Sequence, residues 1–327
     1  MRKLATIRKI LDIHPIPGAD AIECVTVDGW KVVAKKGEFQ IGQLAIYFEI
    51  DSWIPEPVAP FLCKDKREFN GVPGARLRTI KLRGQISQGL LLPAHEGANE
   101  GDDLTEALGI QKYEAPVSVQ LAGVVRGNFP SFIPKTDQER IQNLRGDLAR
   151  WSLDGGEWEV TEKLDGSSMT AYLFQEEFGV CSRNLDLKDD PANSFWRAAH
   201  ANGLESVLRA SGRNLALQGE LIGPGIQGNP YALTEHQFRL FDIYDIDAGR
   251  YLTPSERHAF VAENKLPHAP VIGYQDLKWA TIDDLLGSAE GKSTLHPVER
   301  EGLVFKCVST ETSFKAISNK FLLKERT

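Results

Sequence analysis

The heptapeptide Glu162-Lys163-Leu164-Asp165-Gly166-Ser167-Ser168 sits where a β-type run meets a tight turn, and its residue types suit attack on a phosphate. The Lys163 amine is a nucleophile for phosphorus, Gly166 lets backbone approach a phosphate closely, and the two serine hydroxyls can orient one. Asp-Gly turns are common at strand ends, so taken alone the segment also fits a surface lysine beside an ordinary turn. The polar residues farther along the chain decide more. Arg183 stands in Ser182-Arg183-Asn184 at a strand end, Glu220 in Gln218-Gly219-Glu220-Leu221, and Phe241-Asp242 close a strand. Glu301-Gly302 open another that ends at Lys306, and Lys315 lies in Ser313-Phe314-Lys315-Ala316-Ile317-Ser318. Each has a plain structural explanation singly, a salt bridge above all for Glu220 and Glu301.

The elements that must carry these residues change character near residues 112–135. Before it, short β-type runs alternate with Gly, Pro and Asp turns: Ala5 to Ile13, Ile22 to Val27, Lys31 to Ala34, Leu44 to Ile50, Leu77 to Leu82 and Gly89 to Leu92. Strands at that spacing predict a small barrel. Trp30, Phe39, Tyr47, Phe48 and Trp53 are of the kind that stack on bases, but in so small a domain they are expected in the core. Pro116 to Pro134 reads as an irregular connection. Thr136 with Glu139 then forms a capping-box pattern, and Ile141, Leu144, Leu148 and Trp151 recur on one face, which predicts a helix. Further strands are expected at Glu157 to Lys163, Met169 to Phe174, Gly179 to Arg183, Asn214 to Ile222, Gln237 to Tyr244 and Gly302 to Val308. Helices are expected at Ser194 to Ser211, Ser255 to Lys265 and Ile282 to Ala289. This is an α+β pattern without a Gly-rich βαβ phosphate loop.

Composition agrees with two globular domains: 327 residues, 42% hydrophobic and 25% charged, allow two cores. No apolar run approaches transmembrane length and the start carries mixed charge, so the expectation is a cytoplasmic protein with no membrane association. Cys24, Cys63, Cys181 and Cys307 have no paired spacing and are expected as buried free thiols. A net charge of -7 argues against general nucleic-acid affinity, yet Lys64, Lys66, Arg67, Arg76, Arg78, Lys81 and Arg83 cluster, as do Lys315, Lys320, Lys324 and Arg326. An acidic whole with two basic stretches suits a protein that grips a polyanion along one face.

As an ordered series beginning with Lys-x-Asp-Gly, the polar residues resemble the motifs of the covalent nucleotidyltransferases, the superfamily of ATP-dependent DNA and RNA ligases and messenger-RNA capping enzymes. His14 to Glu23, Val25 to Gly29 and Ile86 to Leu91 resemble the OB-fold of tRNA-binding modules attached to some synthetases. With an OB-like part in front, the Lys135 to Gln142 segment, Arg300-Glu301-Gly302-Leu303-Val304-Phe305-Lys306 and the Ser313 to Leu323 ending, the chain resembles RNA ligases of the Deinococcus type. The resemblance implies an α+β fold class: an N-terminal β-barrel (OB-fold, 1–115) for nucleic acid, a linker (116–134) and an α+β nucleotidyltransferase (ATP-grasp-like ligase) domain (135–327). In DNA ligases and capping enzymes the OB-fold follows the last lysine motif, so its contribution to closing over ATP is expected to be filled differently here or not at all.

The resemblance also implies the chemistry and the roles. Lys163 attacks the α-phosphorus of ATP, leaving a lysyl-adenylate; AMP passes to an RNA 5′-phosphate, and a 3′-hydroxyl displaces it, on RNA or an RNA-containing duplex and with no obligate protein partner. A lysine amine has a pKa of about 10.4, so activation is expected from a divalent Mg2+ or Mn2+ and from a second cation, Lys315. Glu162 is expected to read the adenine amino group and Phe241 to stack on the base. Asp165 and Gly166 are expected at the nucleotide, Arg183 binds ribose or RNA phosphate, Glu220 accepts from ribose or anchors metal, and Glu301 holds Mg2+ directly or through water. Lys306 and Lys315 are expected on the α-phosphate, with Lys320 as a further cation beside the nucleotide. Two rivals are an RNA guanylyltransferase using GTP and a nucleic-acid-binding protein whose transferase part is inactive.

Overall fold

The computed structural model of the protein describes residues 2–65, 67–114 and 124–324. Lys66 and Arg326 of the basic stretches, and residues 116–123 of the expected connection, lie outside the described residues. The chain divides into two units, one built on Met1–Pro116 with Gln142–Arg145 and Leu322–Thr327, the other on Val117–Ile141 and Gly146–Phe321.

In the first unit the strands are β1 (Ala5–Pro15), β2 (Ile22–Val27), β3 (Trp30–Lys35), β4 (Leu44–Phe48), β5 (Ser52–Pro55), β6 (Arg67–Phe69), β7 (Val72–Arg76), β8 (Thr79–Leu82), β9 (Gln85–Gln88), β10 (Leu90–Pro93) and β11 (Gln111–Lys112). One sheet runs β10-β4-β1-β2-β3. The long β1 pairs with β4 through Ala5–Lys9 and with β2 through its second half, with a bulge between Ile10 and Asp12. A bulge bends a strand, and here it lets one strand serve two sides of a curled sheet. The curl closes where the Val33 N–H of β3 donates to Ser87 Oγ of β9 at 3.0 Å. Trp30, Phe39, Tyr47, Phe48 and Trp53 are all buried, as expected, so none offers its face to a base. Arg76 is held by Asp51 at 2.6 Å and lies 4.6 Å from the Tyr113 ring centroid.

The second unit carries two sheets. Its strands are β12 (Val125–Asn128), β13 (Glu139–Arg140), β14 (Trp158–Lys163), β15 (Ser167–Phe174), β16 (Glu177–Cys181), β17 (Leu185–Leu187), β18 (Leu215–Ile222), β19 (Gln237–Asp245), β20 (Arg250–Tyr251), β21 (Val271–Gln275), β22 (Gly302–Cys307) and β23 (Ser313–Ile317). The helices are α1 (Arg145–Asp154), α2 (Ser194–Ala201), α3 (Leu204–Ser211), α4 (Pro254–Asn264), α5 (Ile282–Ala289) and α6 (Asn319–Lys324). One sheet runs β12-β17-β16-β15-β18-β19-β20, the other β13-β23-β22-β14-β21. On the first sheet Leu215, Leu217, Leu221, Phe238 and Leu240 face a core completed by Phe195, Trp196, Leu204 and Leu208 of α2 and α3. On the second, Trp158, Phe305 and Phe314 stack with Trp151 of α1, the Trp151 and Phe314 rings 5.6 Å apart. Period-two alternation turns the opposite faces of both sheets, rich in polar side chains, toward each other.

Three expectations change. The helix proposed from Thr136 and Glu139 does not form there: Glu139 and Arg140 are β13, parallel to β23, and the helix starts at Arg145. Strand pairing with a distant segment satisfies the backbone that a capping box would have served. The capping box the chain does use is Thr253 with Glu256 at α4, with Pro254 in the first turn. The described part of the expected linker contains β12, which pairs with β17. The single helix expected over Ser194 to Ser211 is two, α2 and α3, parted at Gly203, whose φ of 61° places it in the left-handed region. Cys24, Cys181 and Cys307 are buried free thiols and Cys63 is half-buried. No helix of the described residues is long and apolar enough to cross a membrane.

Candidate active site

Lys163 ends β14 in one sheet and Ser167 opens β15 in the other, so Leu164-Asp165-Gly166 carries the chain from sheet to sheet. The nucleophile therefore stands where the polar faces meet. The turn is fixed from three sides: Leu164 is buried with Ile222 and Tyr231, the Asp165 N–H donates to Tyr231 Oη at 2.7 Å, and Gly166 presses on β18. A Cβ at Gly166 would lie 2.5 Å from the Leu221 carbonyl oxygen and 2.8 Å from Glu220 Cγ. This glycine is required by the neighbouring strand, in addition to any approach of a phosphate. Glu162 is buried, and its Oε2 accepts from the Thr294 N–H and Oγ1, both at 2.9 Å. Its Oε1 is buried without a hydrogen-bond partner among the described residues.

Three carboxylates surround the amine. Lys163 Nζ is 2.7 Å from Glu301 Oε1. Burial alone would lower the lysine pKa, but Glu301, Glu220 and Asp165 together raise it above the ordinary value. The opposite shift was expected from a second cation, and the reason for the difference is the company the cations keep: Lys315 Nζ is 3.1 Å from Asp137 Oδ1, and Arg183 is 3.4 Å from the other oxygen of the same carboxylate. Glu220 is pushed up to about 8, first by burial and then by Glu301 and Asp165, against the pull of Lys163 and Arg183. The pocket thus carries more carboxylate than its cations neutralise, which costs free energy in a low-dielectric site.

Strand register explains the placing of the lysines. Lys163 pairs with Gly302, Thr161 with Val304 and Glu159 with Lys306, while Val304 also pairs with Lys315. Lys163, Lys306 and Lys315 therefore share one face. Lys306 does not point to the same place as Lys163. It is buried 2.7 Å from Asp242 Oδ1 and donates to the Phe241 carbonyl. Burial, with Arg257 beside it, lowers Lys306 to about 8 although Asp242 and Glu159 act the other way. Lys320 is well exposed and paired at 2.8 Å with Glu290, so the structure places it in a surface ion pair and not beside Lys163. Phe241 lies in β19 and packs against the cluster containing Leu164, Ile222 and Tyr231. The structure thus brings Lys163, Asp165, Glu220, Glu301 and Arg183 into one electrostatic neighbourhood.

Among the described residues no group of three or more His, Cys, Asp or Glu side chains is drawn together to cage a metal. A magnesium-type ion needs no such cage, because it is commonly held by one or two carboxylates with water and substrate phosphates completing the shell. Glu220 and Glu301, two carboxylates beside Lys163, fit that kind of ion, whose charge would favour the ionised form of Glu220.

Comparisons with known proteins show the family of the chain. The RNA ligase family model matches residues 156–320, and a model described as an OB-fold domain matches residues 4–94. The structure aligns with a Naegleria gruberi RNA ligase with PPi at a TM-score of 0.94 and 48% sequence identity, covering 99% of this chain and 99% of that one. A variant of that ligase with ATP and Mn aligns at 0.93 with 48% identity, and another with AMP and Mn at 0.94 with 48%, each covering 99% of both chains. The chain belongs to the RNA ligase family. A search of curated proteins found no match.

Several residues of this RNA ligase escaped the sequence reading. Asp137 bridges Lys315 and Arg183, Tyr231 holds the nucleophile turn, Thr294 holds Glu162, and Thr136 Oγ1 lies 2.9 Å from Ser168 Oγ. Only Asp137 and Thr136 had a signal, since both lie in the Lys135 to Gln142 segment that carried part of the family resemblance. The capping pattern in that segment points to a helix start, whereas its residues pair with β23 and reach the site. Also unread was the buried network in which Glu159 accepts from Arg257, His258 and Tyr274, with Arg257 Nε donating to His268 Nε2 at 3.1 Å.

Proposed function

We propose that this RNA ligase is ATP-dependent, joins an RNA 5′-phosphate to a 3′-hydroxyl through a lysyl-adenylate on Lys163, and acts on nicked duplexes in the manner of the Deinococcus type. The observation that carries the reading is the Lys163 amine 2.7 Å from Glu301 at the end of the turn between the two sheets, with Glu220 and Asp165 close enough to shift its titration. In the first step the Nζ lone pair forms a bond to the α-phosphorus, the bond to the bridging oxygen breaks, pyrophosphate leaves and Nζ gives up its proton. An oxygen of the RNA 5′-phosphate then takes the adenylyl group, and the nitrogen regains a proton as the N–P bond breaks. The 3′-hydroxyl oxygen then bonds to the RNA 5′-phosphorus and gives up its proton, the anhydride bond to the adenylyl group breaks, and AMP leaves as the phosphodiester is completed.

Each residue has a part in this. In the resting protein Glu301 stores the Lys163 ammonium, and binding that draws on the carboxylates releases their hold on it. Glu220 and Glu301 are suited to Mg2+ or Mn2+, which when bound supplies neutralisation of phosphoryl charge. The unpartnered Oε1 of Glu162 is an acceptor waiting for a donor, which the adenine amino group provides. Phe241 gives the base an aromatic face. Arg183 and Lys315, loaded on Asp137, are the cations for phosphate oxygens, Arg183 through its planar fork. The N-terminal unit is assigned to holding the polynucleotide through its exposed cations, of which Arg67 is one, while Arg76 is engaged within the unit.

The test is sealing of nicked duplexes carrying RNA or DNA separately on each side of the nick, with ATP or GTP supplied. Sealing with ATP that requires RNA on the 3′-hydroxyl side is the expected result. Sealing only with GTP, or transfer of a nucleotide without sealing, would replace this reading with a capping-type transferase.

A further inference from the structure

Lys306 is the lysine of the shared face whose partners do not fit a phosphate ligand. On β22 it stands opposite Glu159, four residues before Lys163 on β14, or about 13 Å along the strand at about 3.3 Å per residue. Every close contact of its ammonium instead falls on one short piece of β19. Nζ donates to the carbonyl of Phe241, lies 2.7 Å from Asp242 Oδ1, and sits 5.7 Å from the Phe241 ring centroid.

That piece of β19 is irregular. Gln218 of β18 pairs with Asp242 and Gly219 pairs with Leu240, which leaves Phe241 as the extra residue of a β-bulge. A bulge re-aims a side chain and takes the extra residue out of the ladder, so its carbonyl needs a donor from elsewhere. The Lys306 ammonium is that donor. Asp242 keeps the ammonium in place and is itself approached by Arg257 Nη1 at 3.6 Å, with Arg257 anchored on buried Glu159. The carbonyl of the bulge is thus pinned from the opposite sheet, and the cation over the Phe241 ring adds an attraction that restrains the ring.

We propose that Lys306 is a positioning residue that locks the Phe241 bulge and thereby sets how tightly the nucleotide base is bound, and that it does not touch the transferred phosphate. The inference rests on the reading that Phe241 stacks on the base. It separates Lys306 from Lys163 and Lys315 in function although all three share a sheet face. Loss of the pin affects binding of ATP more than the rate of the chemical step, because the ring is misplaced while the nucleophile and its carboxylates are untouched.

The experiment measures labelled adenylate formation by the full-length protein at varied ATP, for the wild type, Lys306→Met, Lys306→Arg, Phe241→Ala and the Phe241→Ala/Lys306→Met double variant. Expected are a KM for ATP raised about tenfold in Lys306→Met, the size of one lost charge-assisted hydrogen bond, with kcat within about twofold of wild type, and partial recovery in Lys306→Arg. On the Phe241→Ala background Lys306→Met should add little, since the ring it positions is gone. A fall in kcat at unchanged KM, or an undiminished effect on the Phe241→Ala background, overturns the proposal in favour of a phosphate contact or a general packing role. If Phe241→Ala alone leaves KM unchanged, the base-stacking reading fails and takes the inference with it; if Phe241→Ala raises KM and Lys306→Met does not, only the inference fails. Should Lys306→Met not fold, Asp242→Asn removes the anchor while leaving the donor, and a raised KM at unchanged kcat is again expected, with an unchanged KM overturning the proposal.

Discussion

Adding one methyl group at Gly166 tests how the nucleophile is positioned. The Cβ of Gly166→Ala would come 2.5 Å from the Leu221 carbonyl oxygen, and ordinary contact begins at 3.4 Å, so something must move by about 0.9 Å. Leu221 belongs to β18, paired on one side with β15 and on the other with β19, and cannot yield cheaply. Glu220 Cγ and Ile222 Cγ2, each 2.8 Å from the added carbon, block the sideways escape. The Leu164-Asp165-Gly166 turn therefore shifts, carrying Lys163 with it. Overpacking of this kind costs about 1–3 kcal/mol of stability, and displacing a reacting group by about 1 Å costs about 100-fold in rate. Thermal unfolding and the initial rate of lysyl-AMP formation measure the two effects separately. A Gly166→Ala protein with both a wild-type melting temperature and a wild-type adenylation rate would refute the close approach of the turn to β18.

Adenylation at saturating ATP should accelerate as pH rises from 6 toward 8. The Lys163 amine is raised above its ordinary pKa and stays mostly protonated throughout, so its small reactive free-amine fraction grows as pH rises, while Glu220, pushed up to about 8, ionises across this range. A rate that falls over that interval would contradict these shifts. Because Glu220 holds its proton more tightly folded than unfolded, the ligand-free protein should lose stability between pH 4.5 and about 8, checked by urea unfolding at several pH values. Arg257→Ala strands Glu159 without its buried partner and should cost about 3–5 kcal/mol in unfolding experiments, whereas Arg209→Ala, an exposed pair with Glu205, should cost under about 1 kcal/mol. Equal effects of the two would deny the network its structural role.

The parts of the site legible in the sequence are those whose meaning is local. The Glu162 to Ser168 segment announces a strand followed by a turn, Glu301-Gly302 a strand start, and Glu220 a strand with one polar face; period-two patterning suffices for each. The Ile282–Ala289 helix has the predicted bounds because Thr281 caps it and its apolar residues recur regularly. What could not be read depends on partners far along the chain. Thr136 and Glu139 satisfy a capping pattern, yet β23 offers Glu139 and Arg140 a parallel edge that a local pattern cannot reveal. Lys306 shares its face with Lys163, but its assignment turns on a bulge at Phe241 and a carboxylate at Asp242, both in another sheet. The upward shift at Lys163 likewise depends on which carboxylates fold around it, and Lys315 is drawn to Asp137.

The central claim is a covalent bond between the Lys163 amine and a nucleoside monophosphate. Incubation of the full-length protein with ATP and Mn2+, then denaturation, digestion and mass spectrometry, locates any adduct to a single side chain. The account predicts one AMP on the peptide containing Lys163 and none in Lys163→Ala, a variant that should remain folded because Lys163 ends a strand and is partly exposed, although Glu301 loses its partner. An adduct on another lysine, or persistent labelling of Lys163→Ala, would contradict it.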